Sequence, residues 1–173
     1  MNLQRIAVLS AVAIPLAIVP TGLAKLPSPA VKTIVPGVSV AGVKLGMTTA
    51  LAKKTLGPGS VCGVAAFPNA KQCTWSVTPN ARPDRSPKVT IVTIAGRVRA
   101  ITIDGGTGGA AIKSYRTARG IGIGSTRAAL FSAYPKLKTP FGPDNPTLGS
   151  GRTTTSFFVQ GGRVKTLQVG SPG

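Results

Sequence analysis

The sequence predicts an α+β fold of two tandem units, each a short helical segment packed on an antiparallel β-sheet. Two internal echoes carry that prediction. VAGVKLGMTTALAKKTLG at residues 40–57 returns as ARGIGIGSTRAALFSAYP at residues 118–135, and IVTIAGRVRAITI at 91–103 returns as FFVQGGRVKTLQV at 157–169. A third observation sets the order within a unit: both times a helix-start phrase precedes a β-rich phrase.

The chain opens with Arg5, an uncharged apolar run (IAVLSAVAIPLAIVP) and Gly22-Leu23-Ala24. This is the pattern of a secretory signal peptide, residues 1–24, cut after Ala24. The competing reading, a retained membrane anchor, is weakened by Pro15 and Pro20, which interrupt a helix. No cysteine stands at the start of the mature chain, so a lipid anchor is not expected. Residues 25–37 form an N-terminal extension, and the remaining chain suffices for one ordinary domain or two small ones.

The first unit spans 38–104 and the second 114–173. A shift of 78 places Gly42, Gly46, Thr48 and Ala50 on Gly120, Gly124, Thr126 and Ala128. Thr48 and Thr126 are the expected N-caps, where a hydroxyl accepts from a free amide of the first helical turn. Ala52 and Leu56 lie four apart, as do Leu130 and Tyr134, which gives each helix one apolar stripe. Gly57-Pro58 stops the first helix and Pro135 the second.

Between helix and hairpin of the first unit, VCGVA and QCTWSV read as two strands. KVTIVTI, rich in β-branched residues, and the pairs Ala95-Gly96 and Gly161-Gly162 predict hairpins. After each turn the apolar parity slips: Val98 is out of phase with Ile101 and Ile103, and Val164 with Leu167 and Val169. The same slip twice predicts a shared β-bulge. Residues 105–113 are a glycine-rich linker. They lack the Gly-Lys-Ser/Thr ending or the G-x-G-x-x-G helix opening of a phosphate loop.

Cys62 and Cys73, the only cysteines, are read as a disulfide in an exported protein. Ten intervening residues do not match C-x-x-C, and a chain without histidine offers no obvious metal co-ligands. No cofactor or metal is expected. The catalytic inventory is equally thin, with no histidine or glutamate and three aspartates, Asp84, Asp104 and Asp144, each in a predicted loop. General acid–base chemistry recruits groups this chain lacks, so the expectation is that it is not an enzyme.

Twenty-one lysines and arginines against three aspartates give a net charge of +18, of which the signal peptide carries only Arg5. Such a field favours anionic partners. The cations are dispersed, and no closely spaced aromatics form a stacking platform, so nucleic acid is an unlikely partner. The choices left are a protein partner or an anionic envelope polymer, outside the cytoplasm: secreted, periplasmic or in the cell envelope.

LGMTTALAKKTLG, the two cysteines, CTWSV and VTIVTIAGRVRAITI together resemble the BamE-like (SmpA/OmlA-type) fold of small outer-membrane assembly lipoproteins. Two such units in one exported chain, with a disulfide after the first helix, are similar to the secreted β-lactamase inhibitor-like proteins. The resemblance implies a non-catalytic protein-binding module acting through a concave sheet face, with a carboxylate on the loop after the second cysteine. That loop is TPNARPDRSPK here, and Asp84 is the matching carboxylate. Phe67 and Trp75 would lie near the same surface. Two departures stand out: Asp84 is flanked by Arg82 and Arg85, and the second unit has no cysteines. Trp75 reads equally as a core residue. The candidate partner-binding residues are therefore Phe67, Trp75, Arg82, Asp84 and Arg85.

Overall fold

The computed structural model describes residues 31–76, 86–107 and 112–171. The proposed signal peptide and the residues Arg82, Asp84 and Arg85 lie outside them, as does the middle of the glycine-rich linker. Eleven strands and two helices follow in the order β1 (Thr33–Val35), β2 (Ser39–Val40), β3 (Val43–Lys44), α1 (Thr49–Leu56), β4 (Val61–Val64), β5 (Ala70–Ser76), β6 (Lys88–Ile94), β7 (Arg97–Asp104), β8 (Arg116–Thr117), α2 (Arg127–Ala133), β9 (Thr147–Leu148), β10 (Thr155–Gln160) and β11 (Arg163–Gly170).

The expectation of two helix-on-sheet units is overturned. The molecule is dominated by sheet, and one seven-stranded sheet, β4-β5-β6-β7-β11-β10-β9, runs through both halves. A smaller mixed sheet, β3-β2-β1-β8, also joins them. Helices α1 and α2 are only 8 and 7 residues long. The physical reason lies in the last strand of each half. β7 and β11 are both eight residues long, and a bare edge of that length would leave a row of unpaired N–H and C=O groups. Antiparallel pairing, Ala100↔Gly170 through Asp104↔Thr166, covers each edge with the other.

That pairing has an internal two-fold. Thr102 faces Gln168, its own counterpart 66 residues on, and Ile101↔Val169 exchanges with Ile103↔Leu167. This is the self-complementary logic of a symmetric dimer interface, realised within one chain. The local geometry repeats as well. Gly46 N donates to Val98 O at 2.8 Å and Gly124 N to Val164 O at 2.8 Å. Arg97 Nη1 reaches Gly46 O at 3.0 Å, and Arg163 Nη1 reaches Gly124 O at 3.0 Å. Thr48 caps α1 by accepting from Leu51 N, and Thr126 caps α2 by accepting from Ala129 N.

Both hairpins bulge where the parity slips. Val92 faces Ala100 but Thr93 faces Val98, leaving Arg99 as the extra residue; Phe158 faces Thr166 but Val159 faces Val164, leaving Lys165. The turns carry positive φ at both central residues, Ala95 (50°) with Gly96 (71°) and Gly161 (57°) with Gly162 (70°). That is the tight hairpin turn whose twist matches the strands.

Strand β1 breaks the two-fold. It pairs antiparallel with β2 and parallel with β8, the strands that open the two helix-start phrases. Residues 33–35, assigned from sequence to an N-terminal extension, are thus one of the two inner strands of the small sheet. One core results: Trp75, Ile91, Ile101, Ile103, Phe157, Leu167 and Val169 from the large sheet pack with Leu56, Leu130, Ile34, Val40 and Ile123. Among the described residues no helix is long and apolar enough to cross a membrane.

Candidate functional site

The disulfide expected between Cys62 and Cys73 is present, with the two residues directly opposite on β4 and β5 and their Cα atoms 4.1 Å apart. It staples the outermost hairpin of the large sheet. β4 needs the staple, because all four of its residues are exposed and none contributes to the core. The turn beyond it closes through Ala65 N to Ala70 O (3.0 Å) and Ala70 N to Phe67 O (3.1 Å).

Helix α1 stands beside this hairpin. Its start is tied to the β6–β7 turn, where Thr49 donates to Gly96 O from both its backbone N (2.9 Å) and its Oγ1 (3.0 Å). Its end is tied to β5, where Trp75 Nε1 donates to Gly57 O at 3.0 Å. With both ends fixed, the helix and the hairpin enclose an open cleft of about 730 Å³. Its lining includes Thr49 and Lys53 of α1, Cys62 to Val64, Asn69, Lys71 and the Ala95-Gly96 turn. Among the described residues Lys53 and Lys71 are the charged ones that line it, and no carboxylate does. Val61 (66% exposed), Val64 (84%) and Phe67 (44%) present apolar side chains on the same hairpin. Among the described residues β4 pairs on one side only, so its outer backbone edge is open.

The candidate partner-binding residues part company here. Phe67 is on this exposed hairpin. Trp75 is fully buried, its indole N–H held by Gly57, so it belongs to the core and is not open to a partner. Phe67 precedes the first residue of β5, and the chain passes toward residues 77–85 from its last. Seven residues of strand span about 20 Å, which is the distance along β5 from the Phe67 end to the end that leads on to residue 77. Those three lie outside the described residues. Sequence reasoning missed Lys53, Lys71 and Val64. The usable signal was that VCGVA does not alternate, as befits a strand that buries neither face.

The described carboxylates are both engaged. Asp104 pairs with Lys88 at 3.4 Å and Asp144 with Arg127 at 3.6 Å, on separate parts of the chain. Neither borders the α1 cleft, whose chemistry is that of contact: apolar side chains, two cations and an open strand edge. Compared with known proteins, the chain matches no family model, no curated protein and no solved structure.

Proposed function

We propose that this chain is an exported, non-catalytic protein-binding module, whose partner docks as an extended segment along β4 in the α1 cleft. The observation that carries the reading is the open edge of β4 with exposed Val61, Val64 and Phe67 around it. An added strand would take main-chain hydrogen bonds from that edge, while its side chains on the cleft face meet Val64 and those on the opposite face meet Val61. Lys53 and Lys71 select acidic residues in the incoming segment. The BamE-like resemblance and the absence of histidine and glutamate point the same way. So does a signal peptide cut after Ala24, which would deliver the chain to a disulfide-forming compartment.

The test is selection from a displayed peptide library. Enriched peptides should alternate apolar and acidic residues, and Val64→Lys should weaken them about tenfold by blunting the edge with a charge. Binders with no acidic bias, or binding indifferent to Val64→Lys, would end this reading. The charge excess favours a second one, an electrostatic binder of anionic envelope polymers, since three aspartates cannot neutralise twenty-one lysines and arginines. Association that persists at high salt would exclude it.

A further inference from the structure

A second cavity, of about 390 Å³, lies at the other end of β7 from the α1 cleft and is independent of it. It is lined by the Gly105–Thr107 turn, Lys113, Ile123, Gly124 and the start of β11, Arg163 to Lys165. Three cations therefore surround one small concavity. How they come together can be traced. Lys165 is the extra residue of the β10–β11 bulge, and its carbonyl accepts from Gly105 N at 2.9 Å, which sets the glycine turn beside it. Arg163 donates one Nη1 hydrogen bond to Gly124 O at 3.0 Å, leaving most of its five donors unspent. Lys113 lies over Gly124, so that a Cβ at that glycine would sit 3.8 Å from the lysine Cε.

Among the described residues no carboxylate lines this cavity. Asp104 is the nearest acid in sequence, but its Oδ2 is paired with Lys88 and its Oδ1 accepts from Gly106 N at 2.9 Å. Asp144 is paired with Arg127. Lys113, Arg163 and Lys165 have no counter-ion among the described residues, and like charges around one concavity repel until an anion enters. The feature is also not a by-product of the internal two-fold. Arg97 and Arg99 repeat Arg163 and Lys165, but Val35 stands where symmetry would put Lys113. There Gly170 closes against Leu45, since a Cβ on it would sit 2.6 Å from the leucine.

We infer that this pocket binds a phosphate dianion, inorganic or as a monoester. A phosphate group near neutral pH carries close to two negative charges and presents several acceptor oxygens, matching three converging cationic donors. A phosphodiester carries a single charge and is the poorer match. The cavity has room for more than the phosphate itself, which leaves space for the organic part of a monoester.

Calorimetric titration of the full chain tests this, with inorganic phosphate and then glycerol phosphate, against chloride of equal ionic strength. Phosphate should bind saturably, and Lys113→Gln with Lys165→Gln should weaken it about tenfold or more. The charge-matched control, Lys136→Gln with Lys138→Gln, removes two exposed cations that line neither cavity and should change it less than about twofold. Amide resonances of Gly105, Gly106 and Gly124 should shift with phosphate and not with chloride. Tighter binding of glycerol phosphate would assign the pocket to a monoester, and equal binding to the phosphate group alone. Equal losses in both double variants, or phosphate acting no differently from chloride, would overturn the inference. Because peptide docking is read at β4, either proposal can fail without the other.

Discussion

Breaking the Cys62–Cys73 bond should release β4 while leaving the rest of the large sheet standing. The bond closes a loop with a sequence separation of 11. Closing so short a loop in the unfolded chain is worth about 3 kcal/mol on the chain-entropy view. The native side of the balance decides where that loss appears. All four residues of β4 are exposed, so nothing but its ladder to β5 and the disulfide holds it. Ladder hydrogen bonds contribute about 1 kcal/mol each, while freeing the backbone returns about 1–2 kcal/mol per residue. These nearly cancel. A reduced chain thus gains a native state with β4 detached, and its global loss should fall below the full 3 kcal/mol or so. Hydrogen exchange before and after reduction, with Cys62→Ala/Cys73→Ala as the permanent counterpart, reads this directly. Amides of β4 and the inner partner amides of β5 should lose protection, while β6, β7 and β11 keep theirs. The proposed peptide docking should vanish with β4. Continued protection of β4 after reduction would refute the reasoning, because it would mean that the strand has a hold other than its ladder.

Two further outcomes follow from the backbone and from burial. Ala95 holds φ of 50°, where the second half places Gly161 at 57°. An alanine in that region costs about 1 kcal/mol, so Ala95→Asn should raise the unfolding free energy read from urea melts by up to that amount and Gly161→Ala should lower it. Tyr115 is buried, and desolvation pushes its phenol up from 10.0 to about 12. The folded chain then holds a proton that the unfolded chain loses. The corresponding stability is whole below about pH 10 and declines as pH rises toward about 12, by roughly 3 kcal/mol at most. Urea melts across that range should show the decline, and Tyr115→Phe should lack it.

Much of the local structure was legible because it depends on near neighbours. Thr48 and Thr126 could be read as caps, Ala95-Gly96 and Gly161-Gly162 as turns, and the shifted parity after each turn as a bulge. In each case a few adjacent residues decide a dihedral or a hydrogen bond. The pairing of Cys62 with Cys73 was legible for a different reason, there being no other cysteine. Trp75 shows the limit: an indole between a cysteine and a turn-rich loop reads as surface or core until Gly57 is seen to accept its N–H.

What the sequence determined by itself was the repeated unit, its helix start, its hairpin and its bulge, all written twice and all short in range. Tertiary structure alone decided that β7 would close the edge of β11, that β1 would sit between β2 and β8, and that β4 would be left outermost. It also decided that Lys113 would line one cavity with Arg163 and Lys165, which are about 50 residues away along the chain. Such choices rest on which edge is left bare and which face is left unfilled once the whole chain has packed, and no window of neighbouring residues contains that information.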